Sequence, residues 1–139
     1  MKVSAKEQYG LRAMAELADR YGEGPVPLSE VAHAQDLSLD YLEQIVPALR
    51  DAGLLDSTRG AKGGYELTRP SDEIAVGDVL RALDGDILPV LCVSESDARP
   101  CVRSDICAAR TVWQTIRDRV IEALDGMTLA DILTLEEKK

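Results

Sequence analysis

The stretch of sequence that decides the fold spans residues 28–68 and reads LSEVAHAQDLSLDYLEQIVPALRDAGLLDSTRGAKGGYELT. A short helix is predicted from about residue 28 to residue 35, because Leu28, Val31 and Ala32 share one face. Ser38 is a suitable N-cap for the next helix, whose apolar stripe is Leu42, Ile45, Val46 and Leu49. Two helices about three residues apart, the second with a polar outer face, are typical of a helix-turn-helix.

A β-hairpin is predicted directly after this pair of helices. Residues 54–58 and 65–68 have the pattern of two short strands, and the Gly-rich residues 60–64 form the turn between them. A helix-turn-helix followed by such a hairpin predicts a winged helix-turn-helix domain, which we assign to residues 1–84.

The remaining sequence predicts further helices and one long loop. Ser4 and Glu7 have the spacing of a capping box, and they begin a first helix whose stripe is Tyr9, Ala13, Met14, Leu17 and Tyr21. A fourth helix covers residues 76–83, and residues 85–107 form a loop that carries the cysteines. An amphipathic helix over 104–126, with Ile106, Ala109, Trp113, Ile116, Val120 and Leu124 on one side, is interpreted as a dimerisation helix. Residues 127–139 form a short helix and a tail. The fold class is therefore mainly α with a small β-hairpin wing.

Composition limits the possible functions. The 139 residues carry a formal net charge of −9, which counts against nucleic-acid binding, although such binding depends on one face of a protein. No signal peptide and no run of about 18 apolar residues is recognised, so a cytoplasmic protein that does not enter the membrane is expected. With one histidine and no catalytic constellation, the chain is not expected to be an enzyme.

DNA contacts are predicted from the second helix of the pair and from the wing. The polar side chains near the start of that helix are Ser38, Asp40, Tyr41, Glu43 and Gln44. Arg59, next to Gly60 at the hairpin tip, suits a narrow minor groove, and Lys62 suits a phosphate. A solvated polar face and a simple tight turn are the alternatives. Pro47 lies inside the helix, where a kink or an early end is expected.

The three cysteines form the pattern Cys92-x8-Cys101-x5-Cys107. An odd number of cysteines in one segment is a poor disulfide framework, and the spacing matches neither a structural zinc site nor a ferredoxin. Three thiolates on one loop could hold one cluster; the alternative is three unrelated, small, buried side chains. For a fourth ligand, His33 is more simply a surface residue, and Glu7 could reach the loop of the other subunit, although its capping box already explains it. The weaker candidates are Gln8, Asp97 and Asp105.

Four segments carry a resemblance to a known family: SAKEQYGLRAM at residues 4–14, LDYLEQI at 39–45, RGAKGGY at 59–65 and IAVGDVLRAL at 74–83. The chain resembles the IscR/NsrR/RirA family, bacterial regulators of iron–sulfur assembly, nitrosative stress and iron supply. This resemblance implies a homodimer on an operator that is expected to be palindromic, a cluster on three loop cysteines, and DNA contacts from Glu43, Gln44 and Arg59. By this resemblance the cluster would gate DNA binding, and the regulator is expected to be a repressor.

The chain departs from the IscR pattern at the cysteines. The first spacing is longer, and Arg110 stands where that pattern has a histidine. The resemblance therefore favours a [4Fe-4S] cluster over a [2Fe-2S] cluster, with Glu7 of the partner subunit as fourth ligand. Two other functions stay open: a thiol-switch regulator without a cluster, and a small iron–sulfur electron carrier that does not bind DNA.

Overall fold

The computed structural model describes residues 3–84 and 106–137. The elements in chain order are α1 (Ala5–Asp19), α2 (Leu28–Gln35), α3 (Leu39–Asp51), β1 (Leu55–Thr58), β2 (Gly64–Leu67), a 3-10 turn (Ser71–Glu73), α4 (Val76–Asp84), α5 (Ala108–Asp125) and α6 (Leu129–Glu137). The strands pair antiparallel, with Leu55 opposite Leu67 and Thr58 opposite Gly64. The predicted fold class, mainly helical with a β-hairpin wing, is confirmed.

The core is aliphatic and joins distant parts of the chain. Met14 of α1, Leu42 of α3, Ile74 before α4 and Leu129 at the start of α6 are all fully buried in one cluster. The Leu129 N–H donates to the Ile74 carbonyl oxygen at 3.0 Å, and the Val76 N–H donates to the Met127 carbonyl oxygen at 2.8 Å. The C-terminal helix is thus part of the same hydrophobic core as the helix-turn-helix.

The first helix begins as the sequence predicts. The Glu7 N–H donates to Ser4 Oγ at 3.1 Å, and the Ser4 N–H donates to Glu7 Oε1 at 3.1 Å, which completes the capping box. Of the residues in the stripe of α1, Ala13, Met14 and Leu17 are buried. Tyr9 is 36% exposed, and Tyr21 lies beyond the end of the helix and is 46% exposed. The apolar stripe therefore extends beyond the buried face at both ends, because a periodicity cannot show where the packing partner ends.

Of the two outcomes expected at Pro47, a kink or an early end of α3, the early end is not observed. The helix continues to Asp51. Proline removes the N–H that would bond to the carbonyl of Glu43, and its ring crowds the same carbonyl. Val46 and Leu49, on either side of the proline, are both fully buried and hold this part of the helix against the core.

The start of α5 also differs from the prediction. The helix begins at Ala108, and Cys107 is its N-cap with an extended backbone (φ −86°, ψ 108°). Ile106 lies in a turn and is 74% exposed, so it does not extend the apolar stripe of the helix. Within residues 108–125 no side chain is buried. None of the helices over 3–84 and 106–137 is long and apolar enough to cross a membrane.

Candidate nucleic-acid interface and cysteine site

The turn between α2 and α3 sets the position of the second helix. Asp36 has a left-handed backbone (φ 53°), and the Leu37 N–H donates to the Ala32 carbonyl oxygen at 2.8 Å, which closes the end of α2. Two residues later the Ser38 hydroxyl oxygen accepts from the Tyr41 N–H at 3.3 Å. Helix α3 therefore starts with a capped end, as the sequence predicts.

The residues that could read bases lie on the solvent face of α3. Asp40, Glu43 and Gln44 are exposed, while Leu42 and Ile45 between and beside them are buried. A row of exposed acceptors and donors over the first two turns of a capped helix is the arrangement with which recognition helices contact base edges. The geometry thus leaves these three side chains available to a ligand.

Tyr41 differs from its neighbours because its ring is half-buried against α1. Its centroid lies 5.7 Å from that of Tyr9, with the two planes at 89°, an edge-to-face contact. The Arg12 guanidinium lies 5.8 Å above the Tyr9 ring, and it also donates to the Gln35 carbonyl oxygen. This chain of contacts fixes the start of α3 relative to α1 and α2.

The wing carries its two cations at the tip. Arg59, Gly60 and Lys62 are exposed, and Gly60 has a φ of 105°, which favours glycine. Within residues 3–84 and 106–137, neither Arg59 nor Lys62 has an ion-pair partner. The tip is therefore a cationic site in a protein with an acidic net charge.

The base of the wing is fastened to the segment before α2. Val26 and Tyr65 exchange two backbone hydrogen bonds, both at 2.9 Å. Gly64 has a φ of 153°, and a Cβ at this position would lie 2.3 Å from the Val26 carbonyl carbon. Only glycine allows this close approach, so Gly64 keeps the base of the hairpin in contact with the segment before α2.

Of the three cysteines, only Cys107 lies within the described residues. It is half-buried, it is a free thiol, and it caps α5 without a side-chain hydrogen bond. The Arg110 N–H donates to the Cys107 carbonyl oxygen at 3.2 Å, which places Arg110 in the first turn of the helix. Cys92 and Cys101 lie outside the described residues, as do Asp97 and Asp105. No group of three metal-binding side chains is found in the part that the structure describes.

The carboxylate of Glu7 is already occupied. It is only 9% exposed, and the Ser4 hydroxyl lies 3.0 Å from Glu7 Oε1 and 2.8 Å from Asp84 Oδ2. Burial, followed by the nearby Asp84 carboxyl, raises the pKa of Glu7, although the bonds from Ser4 oppose this effect. To ligate a metal, Glu7 would have to leave its capping box. Gln8 is exposed and donates to the Val3 carbonyl oxygen at 3.0 Å, and His33 is exposed on α2.

A family model described as Rrf2, iron-dependent transcriptional regulator, matches residues 3–135. The chain belongs to the Rrf2 family. It is 46% identical over 132 residues to the HTH-type transcriptional regulator CymR of Bacillus subtilis, covering 95% of this chain and 89% of CymR. It is also 39% identical over 137 residues to the HTH-type transcriptional regulator IscR of Sodalis glossinidius, covering 99% of this chain and 81% of that protein.

Solved structures of Rrf2-type regulators have the same fold. CymR of B. subtilis, described as the global cysteine regulator of that organism, matches with a TM-score of 0.81 and 44% identity, over 97% of this chain and 98% of CymR. The oxidised form of Staphylococcus aureus CymR matches with a TM-score of 0.74 and 40% identity, over 95% of each chain. IscR of T. potens matches with a TM-score of 0.80 and 41% identity, over 99% of this chain and 90% of that chain.

These similarities confirm the predicted kinship with IscR-type regulators, and they establish the chain as a transcriptional regulator of the Rrf2 family. Its named relatives are regulators and not enzymes, in agreement with the sequence-based expectation. Sequence reasoning did not find the contacts of Tyr9, Arg12 and Tyr41, or the contact of Gly64 with Val26. The glycine at position 64 was itself a sequence signal for a positive φ and close packing. The contact between Tyr9 and Tyr41 joins residues 32 positions apart, and no local sequence pattern predicts it.

Proposed function

We propose that this Rrf2-family regulator binds operator DNA with α3 in the major groove and the wing tip at the minor groove. The observation that carries the proposal is the exposed row Asp40, Glu43 and Gln44 on a capped helix, beside a hairpin tip whose two cations have no ion pairs in the described part of the chain. Arg59 gains from the negative potential of a narrow minor groove, and Lys62 from a phosphate. With DNA as its partner, the protein is proposed to act in the cytoplasm.

The protein is proposed to act as a homodimer through α5. Val112, Trp113 and Ile116 are exposed on one side of an 18-residue helix that buries no side chain in the single chain. Pairing of two such helices would remove this apolar surface from water. A two-fold dimer presents two copies of α3, so the operator is expected to be palindromic.

The cysteines are proposed to make DNA binding responsive to iron, redox or nitrosative conditions. Thiolates are the usual ligands of iron–sulfur clusters, and the three cysteines could supply three of the four ligands that a cluster normally has. Cys107 fits this role because it is a free, half-exposed thiol at a helix start. A bound cluster would supply redox- and nitric-oxide-sensitive chemistry, with the four-iron form favoured. Glu7 of the partner subunit stays the proposed fourth ligand, although the capping box works against it.

The described residues indicate how a change at Cys107 would reach α3. Cys107 caps the helix whose other end is bound to α4, through Arg81 and Asp125. Helix α4 in turn packs on α1 and α3. A change in the position of the first turn of α5 would therefore alter the orientation of the DNA-binding domain relative to the dimer axis. The spacing of the two copies of α3 would change with it.

A second candidate is a thiol switch without a cluster. It is favoured by the 46% identity to CymR of B. subtilis and by the solved oxidised form of S. aureus CymR. In this case the free thiol of Cys107 would itself be the oxidised group. Both candidates use the same DNA-binding face. They differ in whether the cysteines bind a cluster or are themselves oxidised.

Anaerobic purification from iron-replete cells separates these candidates. A cluster gives a brown protein that absorbs near roughly 400 nm and contains iron and acid-labile sulfide, and operator affinity should change when the cluster is removed. The variant with all three cysteines replaced by serine is the control. A colourless protein whose operator binding responds to a thiol oxidant would identify the switch. A protein whose operator affinity changes neither on cluster removal nor with a thiol oxidant would refute cysteine-based sensing.

DNA binding is tested by titrating a palindromic duplex at several salt concentrations. Arg59→Ala and Glu43→Ala should each weaken specific binding, by about 1–3 kcal/mol for a base-reading contact. Glu23→Ala, in the exposed loop after α1, is the matched control for the loss of a carboxylate. An electron carrier would show no salt-dependent binding and no effect of Arg59→Ala.

A further inference from the structure

A cleft of about 460 Å³ lies between the end of α3, the base of the wing and α4. Its lining residues are Ala52, Leu54, Arg69, Asp78, Arg81 and Ala82. None of them belongs to the proposed DNA-binding face or to the cysteine segment. The volume of the cleft lies in the range of roughly 300–1,000 Å³ that is usual for small-molecule sites, and three of its six lining residues are charged.

The charge of Arg81 is already neutralised by an ion pair within the chain. Its Nη1 lies 2.8 Å from Asp125 Oδ1 and its Nη2 lies 2.9 Å from Asp125 Oδ2, a two-point ion pair between α4 and α5. The pair lowers the pKa of Asp125. Asp78 is the more distant partner, at 3.6 Å from Arg81 Nη1.

Arg69 and Asp78 are the charges in the cleft that are not well matched. Arg69 uses its Nε to donate to the Glu73 carbonyl oxygen at 3.2 Å, and within residues 3–84 and 106–137 its guanidinium has no carboxylate partner. Asp78 has a side chain that is 47% exposed and shares Arg81 with the closer Asp125. The cleft therefore offers one cation and one anion without a close ion pair, beside the apolar side chains of Ala52, Leu54 and Ala82.

We propose that this cleft binds a small zwitterion of amino-acid size. Its carboxylate would bind the guanidinium of Arg69, its ammonium group would bind the Asp78 carboxylate, and its aliphatic part would lie against Ala52 and Ala82, which are accessible in the cleft. A ligand with both charges suits a site with both charges better than a simple anion or cation. Arginine prefers carboxylates because its planar donors match their two oxygens.

Occupancy of the cleft would influence DNA binding. Its walls come from the end of α3 and from the base of the wing, and Asp78 and Arg81 connect it to the α4–α5 ion pair. A ligand that draws Asp78 away from Arg81 strengthens the Arg81–Asp125 pair, and thus favours one orientation of α5. This second step rests on the proposed function, whereas ligand binding itself does not. By linkage, operator DNA and the ligand would change each other's affinity by the same factor.

Calorimetric titration of the full-length protein with three matched probes tests the binding step. L-norvaline carries both charges, pentanoate lacks the ammonium group and butylamine lacks the carboxylate. We expect saturable binding of L-norvaline, at least about tenfold weaker binding of pentanoate, corresponding to roughly 1.4 kcal/mol, and no binding of butylamine. Equal binding of L-norvaline and butylamine, or no saturable binding of L-norvaline, would overturn the proposal.

Variants identify the residues. Arg69→Gln should abolish L-norvaline binding, and Asp78→Asn should reduce the affinity to that of pentanoate. Arg59→Gln is the control, because it loses the same charge at the wing tip, one strand away from the cleft. If Arg69→Gln does not fold, as judged by circular dichroism, Asp78→Asn and the three probes still decide. An Arg69→Gln protein that binds L-norvaline normally but loses operator affinity would assign Arg69 to DNA, and so refute the ligand site.

Discussion

Gln44 and Lys62 are both exposed, but they should contribute to DNA binding in different ways. The Gln44 amide on α3 can pair with an adenine edge, so Gln44→Ala should cost about 1–3 kcal/mol on the operator and little on random DNA. Lys62 at the wing is proposed to contact a DNA phosphate, so Lys62→Ala should weaken binding to both duplexes and lower the salt slope by about 1. Affinity measured on both duplexes over a range of salt separates them. Equal losses on both duplexes for Gln44→Ala would remove it from the base-reading set.

Single side chains were predictable from sequence where their partners are near in the chain. Ser4 and Ser38 act as caps, as predicted, because an N-cap bonds to a backbone group three residues away. No local sequence pattern predicted the position of Arg69 in the cleft. Its place in a cleft depends on Asp78 and Ala82, which reach it only when α4 folds back on the base of the wing.

Among the elements, the hairpin depends on one glycine. Gly64→Ala would place a Cβ 2.3 Å from the Val26 backbone at a positive φ, so it should lower the free energy of unfolding by roughly 2–4 kcal/mol. Gly22→Ala is the control, since Gly22 has a φ of 94° with nothing nearby, and should cost only about 1 kcal/mol. Urea denaturation measures both. Similar losses for the two variants would show that the contact with Val26 does not hold the wing.

The ion pair between α4 and α5 makes the stability of the fold depend on pH. The hydrogen bond from Arg81 is the largest effect that lowers the pKa of Asp125. A depressed pKa in the folded state stabilises the fold above the ordinary carboxyl pKa, and this stabilisation is lost as the pH falls through the folded value. NMR titration of the carboxyl carbon should therefore give a lower midpoint in the native protein than in Arg81→Gln. Arg119→Gln, the control on α5, should leave the midpoint unchanged; an unaltered midpoint in Arg81→Gln would contradict the pairing.

Helix interiors were predictable and some helix ends were not. Periodicity located α2, α3 and α4 within one or two residues, because burial repeats with the helical turn. The beginning of α5 was placed four residues early, since no strong capping signal stands at Cys107 and Ile106 continued the apolar spacing. The docking of α6 on α1 was not predicted, because a contact between the two ends of a chain leaves no local pattern.

In the assembled protein, α5 should determine the oligomeric state. Trp113→Asp places a charge in the exposed apolar side of the helix, so it should produce a monomer with much weaker operator binding. The DNA-binding domain should stay folded, because α5 buries no side chain in the single chain. Thr111→Asp adds the same charge on the other side of the helix and is the control. Sedimentation equilibrium measures both, and a dimeric Trp113→Asp protein would move the interface elsewhere.

The return of the chain after α5 has a mechanical consequence. Residues 126–129 are tied by backbone hydrogen bonds to residues 74–76, and Leu129 is enclosed among the side chains of the DNA-binding domain. The C-terminal end of α5 is thus fixed to the DNA-binding domain, and the two are not joined by a flexible linker. A tilt of α5 would therefore rotate the whole DNA-binding domain as one rigid body. A small displacement at the start of α5 would be transmitted along the helix to this domain.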